Sequence, residues 1–157
     1  MFKDFPLAKY LSPWYNDFIM KHEFIQRVYY ADTDAYKVVW HGAYLRWMEQ
    51  GRVELCDKLG LDLVDLKNND IAIPVTNMNV RYKSSAKLDD KVVIETWIEK
   101  LSPITITFGQ RIKNAQTGQV HIIAEFETVA VNNEGKIYRR MPEILVKALK
   151  KGIECQD

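Results

Sequence analysis

"YYADTDAYKVVWHGAYLRWMEQGR", residues 29 to 52, crowds two carboxylates and a histidine into an otherwise apolar run, just ahead of a helix-like segment. From Ala43 onward the helical period is clear. Leu45, Met48, Arg52, Leu55 and Leu59 share one stripe, and Tyr44, Trp47, Gly51 and Leu55 share an adjacent one. An apolar arc of that width predicts a well-buried helix rather than a surface one. Gly51 in its middle costs about 1 kcal/mol relative to alanine, which makes sense where a strand or another backbone must come close. Gly60 supplies the stop signal.

Outward from this helix the chain reads as strands. "HEFIQRVYY" (22–30) precedes it, rich in β-branched and aromatic residues. After a polar connection, "LDLVDLKNND", come four strand-like runs: "IAIPVTNMNVRY" (71–82), "KVVIETWIEKL" (91–101), "ITITFGQRIKN" (104–114) and "QVHIIAEFETVAVN" (119–132). Alternation with period two is evident at Val92, Ile94, Thr96 and Ile98, and at Ile104, Ile106 and Phe108. Short turn-like links favour antiparallel pairing. "MPEILVKALKK" (141–151) is a short closing helix with Pro142 in its first turn. One apolar helix and a long antiparallel sheet give an α+β fold in which the sheet wraps the helix. Residues 1–21 form an aromatic arm (Phe2, Phe5, Tyr10, Trp14, Tyr15) broken by Pro6 and Pro13, and 22–157 a single domain. The arm is expected to pack on its own domain or on a second subunit.

Composition removes several function classes. A formal net charge of +1 gives no support to a bulk nucleic-acid or membrane-surface role. No run approaches the length of a membrane span, and no leader-like apolar segment opens the chain. Cys56 and Cys155 form no C-x-x-C pattern, and His22, His41 and His121 have no ligand spacing. The expectation is a soluble cytoplasmic protein without metal or cofactor.

The chemistry points back to the opening stretch. The first N–H groups of a helix starting near His41 and Gly42 lack internal partners, and with the helix dipole they can stabilise a developing oxyanion. Asp34 precedes that start by a short loop. A carboxylate beside an electrophilic carbonyl can direct water at it or attack it directly. Short polar side chains such as Asp32 and Asp34 also make Asx-turns or helix caps, their commoner use, and the residue types alone leave both readings open.

The motif carried by Tyr30, Asp32, Thr33, Asp34, Val38, Val39, Trp40, His41, Tyr44, Glu49 and Arg52 closely resembles the entry motif of the 4-hydroxybenzoyl-CoA thioesterase-like hotdog proteins, particularly the YbgC-like acyl-CoA thioesterases. The strand order from about residue 22 to 148 is similar as well. The resemblance implies hydrolysis of an acyl-CoA thioester, with acyl carrier protein thioesters, a non-catalytic acyl-CoA-binding protein and, more weakly, a dehydratase as alternatives. It implies Asp34 as the catalytic carboxylate, an oxyanion donor at the backbone of His41, and a positioning role for the His41 side chain. Asp32 would shape the turn. Tyr44 and Glu49 on the helix, with Val75, Asn77 and Met78, become substrate-binding candidates; Glu49 could equally pair with Arg46 or Arg52 at i,i+3, and the other three could be core. A homodimer or homotetramer is implied, with the site completed by a neighbour. One departure stands out: many relatives have glycine where this chain has Lys37. If that position needs a positive φ, lysine carries strain there. Arg81, Lys83, Lys87, Arg111 and Lys113 are basic residues that no recognised motif ties to the phosphates of coenzyme A.

Overall fold

A computed structural model describes residues 20–153. The aromatic arm as far as residue 19, and Cys155, lie outside the described residues. The elements run β1 (His22–Arg27), a 3₁₀ turn (Tyr30–Asp32), α1 (His41–Lys58), α2 (Leu63–Asn68), β2 (Val75–Tyr82), β3 (Lys91–Leu101), β4 (Thr105–Asn114), β5 (Val120–Val129) and α3 (Glu143–Lys151). The five strands form one antiparallel sheet in the order β1-β3-β4-β5-β2, and α1 lies against its inner face, as expected from the sequence.

Cross-strand register builds that inner face in rows. One row is Phe24, Ile94, Ile112, Ile122 and Tyr82; another is Ile98, Phe108, Phe126 and Met78. Between them run His22, Thr96, Gln110, Ala124 and Val80, an apolar face interrupted by polar groups. Tyr44, Trp47, Met48 and Leu55 of α1, with Leu59 at its C-cap, are buried in the same core. Each fully buried large side chain of this kind contributes about 1.5–3 kcal/mol.

Gly51 sits over the polar row. A Cβ built on it would lie 2.4 Å from Thr96 Oγ1 and 3.1 Å from Gln110 Nε2. The close neighbours are thus strand side chains, not backbone. Gln110 Nε2 donates to Met48 O at 2.8 Å and to Thr96 Oγ1 at 2.7 Å, while Arg52 Nη1 donates to Gln110 Oε1 at 2.8 Å. The Arg52 guanidinium also stacks 4.0 Å from the Phe126 ring centroid. Burial pushes it down to about 10, against the opposing charge of Glu49, so it remains a cation at neutral pH.

Several expectations need correction. β1 ends at Arg27: Val28 N–H still donates to Asp90 O, but Val28 O accepts from Asp89 N, one residue out of register, and the chain then turns at Tyr30. The connection after Gly60 contains α2, whose N-cap Asp62 accepts from Val64 N and Asp65 N; polar composition hid the cap. β2 starts only at Val75, beyond Pro74, which has no N–H for a ladder. Ile104 lies outside β4 and is exposed, and Pro142 caps α3 instead of entering it. Finally, α1 is only half buried within this chain: Arg46, Glu49, Gln50, Asp57 and Lys58 are exposed.

Candidate active site

The segment between β1 and α1 is a short hairpin. Thr33 pairs with Val39, Asp34 N–H donates to Val38 O at 3.0 Å, and Trp40 N–H donates to Asp32 O at 3.0 Å. Lys37 N–H closes the turn onto Asp34 O at 2.9 Å. One arm therefore carries Asp34 and the other runs straight into α1. Closing the turn this tightly puts Lys37 at φ 61°, the left-handed region that glycine adopts without cost.

The two aspartates are used differently. Asp32 is buried, with Oδ2 accepting from Tyr29 N at 2.9 Å and Oδ1 from Arg46 Nη2 at 2.6 Å. Both oxygens are engaged, so Asp32 shapes the loop and ties it to α1. Asp34 is exposed; its Oδ1 accepts from Tyr36 N at 2.8 Å in an Asx-turn, and Oδ2 has no partner among the described residues. The turn-forming use and the chemical use of Asp34 are compatible, because the turn engages one oxygen.

The start of α1 is open. Its N-cap is Trp40, and no side chain caps it; the N–H groups of His41 and Gly42 have no intrahelical partner. The Trp40 indole folds back over Gly42, where an added Cβ would lie 2.0 Å from the ring, and stands edge-on to the His41 ring at 5.5 Å. His41 is exposed, and its imidazole makes no hydrogen bond among the described residues.

Among the other candidates, Tyr44 is in the core, its hydroxyl accepting from Ala86 N at 2.9 Å. Glu49 is exposed and makes no ion pair with Arg46 or Arg52. Arg46 is held by Asp32, and Arg52 by Gln110. Two hollows meet at Glu49 and Val53 on the outer crest of α1. A groove of about 730 Å³ runs beside β1 past Tyr29, Asp32, Arg46 and Glu54. A smaller hollow of about 200 Å³ lies beside β2, lined by Arg52, Cys56, Leu63, Ile73, Val75 and Phe108. Val75 thus lines a hollow, whereas Asn77 and Met78 do not line either one; all three are exposed.

Other nucleophiles fit poorly. Burial pushes the Cys56 thiol up to about 11, which keeps it protonated at neutral pH. Ser84 Oγ lies 2.8 Å from His121 Nδ1 but also donates to Val120 O at 3.0 Å, and burial pushes His121 down. Among the described residues no group of His, Cys, Asp and Glu could hold a metal ion, and no helix is long and apolar enough to cross a membrane. Sequence reasoning missed the Arg46–Asp32 link and the Gln110 strut, since no local spacing joins residues 14 or 62 positions apart.

Residues 28–149 match the family model described as thioesterase-like superfamily. The chain is 34% identical over 124 residues to the acyl-CoA thioester hydrolase YbgC of Escherichia coli, covering 79% of this chain and 92% of that protein. Among solved structures, the DHNA-CoA thioesterase of Staphylococcus aureus is 31% identical with a TM-score of 0.70, covering 76% of this chain and 80% of that one. A 1,4-dihydroxy-2-naphthoyl-CoA thioesterase from Synechocystis, 20% identical, shares the fold with a TM-score of 0.75 over 83% of this chain and 96% of its own. The chain belongs to the thioesterase-like superfamily as a YbgC-like hotdog protein, and it is a thioester hydrolase.

Proposed function

We propose that this hydrolase cleaves acyl-CoA thioesters, with Asp34 as the catalytic carboxylate and the first-turn amides of α1 as the oxyanion donors. The observation that carries the reading is the hairpin 32–40, which has an exposed carboxylate with one free oxygen on one arm while its other arm leads into an uncapped helix start. The relatives that act on acyl-CoA support the substrate class.

Chemically, the thioester carbonyl oxygen accepts from the His41 and Gly42 N–H groups. Each such donor is worth about 3 kcal/mol when charge develops on the oxygen. Asp34 Oδ2 takes a proton from water as that water bonds to the carbonyl carbon. Collapse of the tetrahedral species breaks the C–S bond; the thiolate takes up a proton, and a carboxylate is released. In the covalent variant Asp34 Oδ2 bonds to the carbon first, the C–S bond breaks and the thiolate leaves and takes up a proton, and water then opens the anhydride to give the free acid and Asp34.

The assembly is part of the same reading. β2 is an edge strand whose residues from Val75 to Asn79 are exposed whichever face they point to, with Val75 at 44% and Met78 at 54%. An exposed strand edge of this kind is a template for pairing, and a second copy seated there would also close the hollow beside Val75.

Asp34→Asn tests the chemistry, because the amide keeps the Oδ1 contact to Tyr36 while removing the base. Turnover should fall by about 100-fold or more. Near-normal hydrolysis by this variant would refute the assignment. Single turnover in heavy-oxygen water then separates the two routes, since label enters Asp34 only through an anhydride.

A further inference from the structure

We propose that Lys37 and Lys87 form a phosphate-binding mouth beside the helix entry and hold the phosphorylated pantetheine arm of the substrate. The proposal rests on the acyl-thioester reading above, and it concerns the leaving group instead of the bond that breaks.

The two lysines are fifty positions apart in sequence, and tertiary structure makes them neighbours. Val38 pairs with Lys87 in an isolated antiparallel bridge, and Val39 N–H donates to Ala86 O at 2.9 Å. The Tyr44 hydroxyl accepts from Ala86 N, so α1 itself fixes the segment that carries Lys87. Both lysines are exposed, and neither makes an ion pair among the described residues.

Of the nearby carboxylates one is in an ion pair, and two each give one oxygen to a backbone N–H. Asp89 pairs with Arg27 at 2.9 Å. Asp90 Oδ2 accepts from the backbone N–H of Lys87 at 2.9 Å, and Asp34 Oδ1 from that of Tyr36 at 2.8 Å. Lys37 and Lys87, both without an ion-pair partner among the described residues, thus sit on paired segments that lead into the uncapped start of α1, whose positive potential favours an anion.

Lys37 adds a second line of argument. Its backbone is held at φ 61°, where a side chain costs free energy that glycine avoids. Packing does not explain the lysine, because its side chain is exposed. A strained residue that persists without a structural reason at the rim of a site points to a role for its side chain.

The test compares one acyl group on three carriers: coenzyme A, 4′-phosphopantetheine and unphosphorylated pantetheine. Lys37→Gly and Lys87→Met should each raise KM for the acyl-CoA about fivefold, the effect of one exposed charge contact, and leave KM for the pantetheine thioester unchanged. The Lys37→Gly unfolding midpoint should not fall, because glycine relieves the strained turn. An equal rise on phosphopantetheine assigns the mouth to the phosphate shared by coenzyme A and acyl carrier protein. A rise on coenzyme A alone overturns the assignment to the pantetheine phosphate. An unchanged KM for both phosphorylated carriers, or an equal rise for pantetheine, overturns the proposal. If the wild type hydrolyses none of the three, the substrate reading has failed instead; calorimetric binding of coenzyme A itself, expected about fivefold weaker in Lys37→Gly, then decides the mouth on its own.

Discussion

The middle and the start of α1 are built on opposite rules. Around Gly51 the helix presses onto Thr96 and Gln110, whose side chains are hydrogen-bonded to one another, and Arg52 is clamped between Gln110 and Phe126. Ten residues earlier the helix begins with no cap, its first amides unpartnered, next to an aspartate with one free oxygen and a lysine in a strained backbone. The first region gives its binding potential to the fold; the second withholds it. A protein that must bind a reacting group needs unsatisfied donors held rigidly, and the paired middle of the helix supplies the rigidity.

This contrast breaks if substitutions at the two ends have the same consequence. The largest expected effect is at the entry: Asp34→Asn should cost about 3 kcal/mol or more of transition-state stabilisation while the thermal midpoint stays within about a degree of the wild type. A large fall in midpoint would mean that the loop carries fold and chemistry together. Next comes Gln110→Ala, which strips Arg52 of its acceptor and Met48 O of a donor. It should destabilise by about 2–3 kcal/mol in urea titration, with kcat per folded molecule retained; loss of kcat without loss of stability would make the strut part of the site.

A third comparison is between the sheet's interior and its edge. Met78→Asp places a charge on the exposed edge strand β2, and should weaken self-association by at least about tenfold, roughly 1.4 kcal/mol, in sedimentation experiments. Unchanged association would move the interface away from β2.

The last effect is read in acid and belongs to the outer sheet face. Burial would raise Glu95, but hydrogen bonds and charge from Arg111 and Lys113 outweigh it and hold the carboxyl down to about 2, against an ordinary 4.5. The folded value lies below the unfolded one, so this stabilisation is fully present above about pH 4.5 and is lost as pH falls toward 2. Stability of the wild type should therefore decline over that window more steeply than that of Glu95→Gln; equal slopes would mean the cluster does not couple to folding.

Much of this was legible in one dimension. Period-two alternation located β3, whose ends match the expected run from Lys91 to Leu101, and the helical stripes located α1. Those signals are readable because a side chain's face follows from its position along a regular backbone. The positive φ at Lys37 was legible only through the family resemblance, because many relatives have glycine at that position. Helix α2 was missed because a single N-cap in a polar stretch is a weak local signal beside tertiary context.

The sequence by itself determined the five strands, α1 and α3, the antiparallel sheet around one helix, and the aspartate, histidine and helix start that lie close along the chain. Tertiary structure alone decided which aspartate is buried and which is free, that Gln110 braces Arg52 from 58 positions away, and that Lys87 stands beside Val38. Local propensity acts between residues within a few bonds of one another. Burial, ion pairing and the sharing of a hydrogen-bond partner depend on which distant segments the collapsed chain brings into contact, and no spacing in the linear order encodes that.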